Sequence, residues 1–310
     1  MQTRKLGYTD LHLTTIGLGT ADIAGGQPYG GAPRDDTESI ATTHRALDLG
    51  INWLDTAPLY GDGRAEELCR RALASRQEHL IIATKVAVRS SQGKVKDIRR
   101  QLESSLRRLG VEAIDLYQIH WPDRDDRVNE EAWGMIADLI REGKVRYAGV
   151  SNFTVPQLQR LQAIHPVSSV QPPYNMLARE IEQDLLPYCA AHDIGVIAYS
   201  PMQSGILTGR FTREYVESLP AGDWRKSNPH FHEPQLSADL ALVGKLRAIA
   251  ARHGRTVAEL AIAWVLRRPE VTAAIVGARR PSQIEETAPA GDWVLSPADI
   301  AEIEALLGRD

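Results

Sequence analysis

The sequence predicts an α/β chain folded as a (β/α)8 TIM barrel, with an N-terminal hairpin before it and extra C-terminal helices after it. Three observations carry that expectation. Short apolar runs alternate with longer amphipathic ones along almost all of the chain. Eight strands alternating with helices over 310 residues suit one barrel better than two smaller domains. The fingerprint of the rival doubly wound dinucleotide fold also fails, because Gly17 and Gly19 are present but Asp22 stands where its third glycine belongs. No linker or low-complexity block interrupts the alternation, so residues 1–310 read as one domain.

Taken in order, residues 3–14 read as a hairpin with Gly7 in its turn, and Thr14–Thr20 as the first buried strand. Further strands are expected at 51–55, 80–85, 113–119, 146–151, 168–171, 195–199 and 272–276. Helices are expected at 36–49, 65–75, 94–109, 129–142, 155–163 and 180–192, with two more inside 238–267. In 94–109, Ile98, Leu102, Leu106 and Leu109 recur at helical spacing with arginines on the other face. Thr256 and Glu259 have the spacing of a capping box, and Ser296 followed by Pro297 starts a final helix.

Composition removes several classes of function. The chain is 43% hydrophobic and 25% charged, with a formal net charge of −4 and no long run of one sign. Neither a nucleic-acid partner nor an anionic membrane surface is indicated. Cys69 and Cys189 lie far apart with no Cys-x-x-Cys or Cys/His cluster, which points to reduced thiols. The first ten residues carry charges and lack the apolar core of an export signal, and no apolar run reaches the ~18 residues of a membrane span. A cytoplasmic protein is expected.

In a barrel, residues at the carboxyl ends of the strands share one mouth. Those ends carry Asp55, then Lys85, His120, Ser151-Asn152, Gln171, Tyr199-Ser200 and Gly277, and Tyr60 sits in the irregular loop after Asp55. Each of these types has an ordinary structural use. Asp, Tyr, Lys and His gathered from three consecutive strand ends instead support proton transfer to a carbonyl oxygen. A free phenol has a pKa of about 10, too high for easy exchange near neutrality. A nearby ammonium favours the phenolate, and a carboxylate beside the ammonium keeps it charged and in place. A neutral imidazole can donate to the same carbonyl oxygen. The quartet has no reductant of its own, so a cofactor must bring one. A metal-dependent hydrolase is disfavoured, since no His-x-His follows the first strand and these residues make a poor metal set; no metal is expected.

The motifs Asp55-Thr56-Ala57-x-x-Tyr60-Gly61, Ala83-Thr84-Lys85, Asp115-Leu116-Tyr117-Gln118-Ile119-His120-Trp121 and Gly149-Val150-Ser151-Asn152-Phe153 resemble successive signatures of the aldo-keto reductase superfamily. Gln171-Pro172-Pro173-Tyr174-Asn175 and Ala198-Tyr199-Ser200-Pro201 continue the likeness, which covers about residues 1–308 and is nearest to bacterial general reductases of the inositol-operon and stress-response type. The resemblance implies an oxidoreductase that reduces small aldehydes or ketones with NADPH (NADP+ when oxidised), with NADH as the alternative. It makes Tyr60 the general acid, Lys85 and Asp55 its tuning pair and His120 the carbonyl orienter. It places Gly19, Thr20 and Asp55 beside the cofactor, Ser151, Asn152 and Gln171 on the nicotinamide carboxamide, and Tyr199 against the ring.

The stretch from Ser200 to Arg210 bears glycine and ends on a base, so its amides are expected to cradle a pyrophosphate with Arg210 adding charge. Ser200, Pro201, Met202, Ser204, Gly205 and Leu207 are the expected contacts. After the last strand, Gly277-Ala278-Arg279-Arg280-Pro281 opens a helix, and its arginines suggest a 2′-phosphate and hence NADPH. Gln283 and Glu286 resemble adenosine-contacting positions. Two departures stand out: Val276 where proline is common, and Thr287 where an asparagine often reaches the adenine.

On the substrate side, residues 21–34, with Gly25, Gly26, Gly30 and Gly31, are expected to form a flexible loop at the mouth. Tyr29, Trp121 and Trp224 are the candidate substrate contacts. The long connection 205–237, with Trp224, Arg225 and Phe231, is expected to fold over the cofactor. A different class of protein fits the same residues: a cofactor-binding redox sensor or regulatory subunit with little turnover. The sequence leaves the physiological carbonyl, the favoured direction and the oligomeric state open.

Overall fold

The computed structural model describes residues 1–25, 35–76, 80–88, 95, 97–220 and 222–308, with the Trp224 side chain outside that set. Two short strands, β1 (Thr3–Lys5) and β2 (His12–Thr14), pair antiparallel as the expected hairpin. Eight parallel strands follow: β3 (Ile16–Gly19), β4 (Trp53–Asp55), β5 (Ile81–Val86), β6 (Ile114–Ile119), β7 (Val145–Ser151), β8 (Ser169–Gln171), β9 (Gly195–Ala198) and β10 (Val271–Gly277). They close in chain order, with β10 returning to β3. The expected barrel, hairpin and added C-terminal helices are all present.

The strands are buried on both faces, as parallel strands wrapped by helices must be. Outward residues such as Leu54, Ile82, Tyr117 and Val150 join the helices in one large core. Inward residues form a second, smaller one: Trp53, Ile81, Ala83, Leu116, Ile197, Ala273 and Ile275 pack against Leu6, Leu11 and Leu13 of the hairpin. The hairpin therefore plugs the amino end of the barrel. Gly7 makes that seat possible, because its φ is +51° and a Cβ there would lie 2.5 Å from the Asp193 carbonyl oxygen and 2.7 Å from the Gly195 nitrogen. Among the described residues the carboxyl end opens into a cavity.

The helices match expectation with two differences. The segment read as one helix at 180–192 is a single 3-10 turn, Glu180–Glu182, followed by a helix at Leu185–Ala191. Pro187 explains the break: it has no N–H and its ring would clash with a carbonyl four residues back, so it is tolerated only in a first turn. Residues 21–24, expected as loop, form one helical turn, Ala21–Ala24, while 26–34 fall outside the described residues. The capping box of Thr256 and Glu259 forms, and Ser296 caps the final helix, Pro297–Leu306. Cys69 and Cys189 are buried free thiols. No helix among the described residues is long and apolar enough to cross a membrane.

Candidate active site

Strand periodicity places the chemistry. Side chains two residues apart on a strand share a face, so on several strands the last inward apolar residue is followed toward the mouth by an inward polar one. Trp53 precedes Asp55, Ala83 precedes Lys85 and Ile197 precedes Tyr199. Lys85 is fully buried and Asp55 nearly so. The loop after β4 turns back through the left-handed residues Gly61, Asp62 and Gly63, and the Tyr60 ring packs among Ala24, Ala57 and Ala65.

An ammonium has three N–H donors, and Lys85 commits all of them. Its Nζ donates to Asp55 Oδ1, to the Thr56 carbonyl at 3.1 Å and to the Tyr60 hydroxyl oxygen at 3.2 Å. Burial pushes the Lys85 pKa below its ordinary value, and the Asp55 carboxylate acts against that push. The His120 ring meets the Tyr60 ring edge-on at 5.8 Å between centroids and stacks on Trp121 at 3.6 Å. Burial, and then the charge of Lys85, pull the His120 pKa down to about 2, so the imidazole is neutral across the physiological range. It holds one N–H donor and one acceptor.

The structure brings the four residues together as expected. It adds a fifth that sequence reasoning missed. Gln118, fully buried on β6, directs Nε2 at Asp55 Oδ2 (3.4 Å), and Gln171 Nε2 reaches the same oxygen at 2.9 Å and Gln118 Oε1 at 3.2 Å. A carboxylate only accepts, so both amide nitrogens must face Asp55. That choice turns the Gln171 carbonyl away from Asp55. The signal for Gln118 was the same two-residue rule, since it follows the inward Leu116.

A cavity of about 910 Å³ runs from Tyr60 and His120 past Ser151, Asn152, Gln171 and Tyr199 to Arg279 and Glu286. Asn152, at φ +66°, donates Nδ2 to the His120 carbonyl (3.0 Å) and accepts from the Tyr199 hydroxyl (2.8 Å). Ser151 Oγ donates to the Gln171 carbonyl at 2.8 Å. Gly19, Thr20, Ser200, Pro201, Met202, Ser204, Gly205, Arg210, Gly277 and Gln283 also line the cavity. Leu207 does not: its side chain is wholly buried in the large core and its N–H donates to the Met202 carbonyl. The expected amide cradle is correspondingly partial, because the N–H groups of Gln203 and Gly205 also bond within the loop.

That loop is held in a costly conformation. Ser200, Gln203 and Ser204 all have left-handed φ values, each costing on the order of 1 kcal/mol for a non-glycine residue. Buried Asn175 fastens it, donating to the Ser200 carbonyl at 3.0 Å and to Gln203 Oε1 at 2.8 Å. The following connection lies along the cavity through Phe211, Tyr215, Arg225 and Asn228. Phe231, in the same connection, is buried and supports the Phe211 ring edge-on at 5.6 Å. Trp121 lines the mouth and is 43% exposed; Tyr29 and the Trp224 side chain lie outside the described residues. At the far end Arg210 pairs with Glu286 and Arg279 with Asp22. Thr287 lines the cavity but gives its hydroxyl to the Gln283 carbonyl at 2.9 Å. Among the described residues no cluster of His, Cys, Asp and Glu is placed to hold a metal ion.

Comparison with known proteins adds to this geometry. Residues 15–307 match the model of the aldo/keto reductase family. Aldo-keto reductase YhdN of Bacillus subtilis (strain 168) is 36% identical over 316 residues, covering 99% of this chain and 94% of that protein. The glycerol dehydrogenase AKR11B4 from Gluconobacter oxydans superposes with a TM-score of 0.89 at 36% identity, covering 99% of this chain and 95% of its own. The holo form of aldo-keto reductase AKR11C1 from Bacillus halodurans gives 0.78 at 28% identity, with 99% and 96% covered.

Proposed function

The chain belongs to the aldo/keto reductase family, an oxidoreductase family acting on carbonyl compounds, and from that premise we propose that it reduces small aldehydes and ketones with NADPH, using Tyr60 as the general acid. The observation that carries the reading is the Lys85 ammonium, held by Asp55 and Thr56 with its third proton on the Tyr60 oxygen at 3.2 Å. A nicotinamide cofactor, if held in the cavity, would supply a hydride for the carbonyl carbon. The chain's own residues manage the proton and the geometry. Neutral His120 donates its N–H to the carbonyl oxygen and orients it. Tyr60 passes its hydroxyl proton to that oxygen, and the adjacent ammonium stabilises the phenolate left behind. Asp55, fastened by Gln118 and Gln171, opposes the loss of charge that burial favours at Lys85.

The residues fit the cofactor. Ser151, Asn152 and Gln171 would hold the carboxamide, with the Gln171 carbonyl turned from Asp55 as the acceptor. Tyr199 would meet the ring, and Gly277, Arg279, Gln283 and Glu286 would take the adenosine end. Arg279 and Arg280 support a 2′-phosphate and hence NADPH. Trp121, beside His120, supports a substrate with an apolar portion. The connection 205–237, lining the cavity, would close over the bound dinucleotide.

Tyr60→Phe tests the acid assignment. Removing a proton donor and no binding surface should cut reduction by about 10²–10⁴-fold with cofactor affinity little changed. Largely intact reduction would reject Tyr60. A panel of aromatic and aliphatic carbonyls, scored by NADPH consumption, also separates an enzyme from a cofactor-binding sensor. Glycerol belongs in its oxidative arm because AKR11B4 is a glycerol dehydrogenase.

A further inference from the structure

At the far end of the cavity every arginine except Arg280 already faces a carboxylate among the described residues. Arg210 meets Glu286, Arg225 meets Asp223, and Arg279 meets Asp22. The last pair is the most exposed to choice. Asp22 comes from the turn after β3 and Arg279 from the stretch after β10, so 257 residues separate two groups held 3.2 Å apart (Arg279 Nε to Asp22 Oδ1). Gly277 lets the carboxylate lie there: a Cβ at that position would sit 2.5 Å from Asp22 Oδ2. The Arg279 backbone N–H is fixed to Gln283 Oε1 at 2.7 Å, which holds the arginine at the cavity wall. Both partners line the cavity and both side chains are 36% exposed.

We propose that Asp22 is a cofactor-specificity residue: its carboxylate, held against Arg279, weakens the hold on a 2′-phosphate and accepts a 2′-hydroxyl, so the site admits NADH beside NADPH. The proposal rests on reading the cavity as a nicotinamide-dinucleotide site. Its chemistry is general. A carboxylate accepts a hydrogen bond from a ribose hydroxyl and repels a phosphate in the same place, whereas an arginine does the reverse. Here both stand side by side, so neither form is excluded. Glu38 is a further carboxylate lining the cavity. The position where a dinucleotide-binding sheet would carry its third glycine is thus occupied by an acid with a different task.

Calorimetric titration with NADP+ and with NAD+ tests this without catalysis. Asp22→Asn keeps the shape and removes the charge. Its affinity for NADP+ should rise by about 5–10-fold, the scale of one like charge removed at several ångströms near a surface, while NAD+ affinity changes by less than about 2-fold. The gain should shrink as salt rises. Asp22→Ser provides a second neutral variant should the first misfold, and Arg279→Gln should move the ratio the other way. An unmoved ratio, with both affinities altered alike or neither altered, overturns the role of Asp22. If the wild-type protein binds neither dinucleotide, the reading of the cavity itself fails, a distinct result.

Discussion

At the barrel mouth, Lys85 commits its three N–H donors to protein atoms and has no solvent exposure. Along the same cavity, Arg210 and Arg279 pair with carboxylates while 55% and 36% exposed. The two regions teach different things. A buried pair cannot lose one partner without leaving a charge stranded, so its geometry is enforced. A half-exposed pair is screened by water, contributes little to folding, and can exchange its partner for a ligand phosphate. Chemistry that needs a fixed proton donor sits in the first region. On the proposed reading, recognition that must open and close for each cofactor sits in the second.

The contrast can be broken most directly at Lys85. Lys85→Met leaves Asp55 buried with only the amides of Gln118 and Gln171 on Oδ2. Denaturant unfolding should show a loss of roughly 3–5 kcal/mol, alongside the loss of carbonyl reduction. A variant within about 1 kcal/mol of wild type would mean that the buried pair does not enforce its own geometry.

A smaller effect sharpens the same point through pH. The folded His120 pKa lies near 2, while an unfolded histidine titrates near its ordinary value of 6.5. Between those values the unfolded chain holds a proton that the native state refuses, so stability falls as the pH drops below about 6.5. From pH 6.5 to 5 the loss is about 2 kcal/mol. His120→Asn removes that contribution, so the stability difference between wild type and variant should narrow or reverse by this amount over the interval. An unchanged difference would show that His120 takes up its proton in the folded state.

How far these features were legible follows from the same contrast. Asp55, Lys85 and His120 stand at strand ends, where a two-residue period and a closed barrel leave no freedom about where they meet. Gln118 obeys the same period, but it lies one step below the mouth, and an amide carries no titratable signal to draw attention. Leu207 went astray because a loop motif gives no periodicity: Gly205 and Thr208 line the cavity, while the side chains of Ile206 and Leu207 fill the core. The pairs Arg279–Asp22 and Arg210–Glu286 join residues 257 and 76 positions apart on loops and short helices. Sequence patterns show that such charges exist, but the pairing depends on where irregular backbone carries them. Pro187 was visible in the sequence, and its incompatibility with a continuous helix is what the reading of 180–192 as one helix passed over.

The smallest expected effect lies at the open end. Glu286→Gln deletes the partner of Arg210, whose side chain is more than half exposed. Exposed pairs contribute about 0–1 kcal/mol, so the melting temperature should move by no more than about 2 °C. The variant also frees the Arg210 guanidinium toward the cavity, so inorganic pyrophosphate should bind slightly tighter. If Glu286→Gln were instead as destabilising as Lys85→Met, the far end would be part of the folded framework, and Arg210 could not be released to a ligand at low cost. The ratio of the two stability losses therefore measures how unlike the two ends of one cavity are.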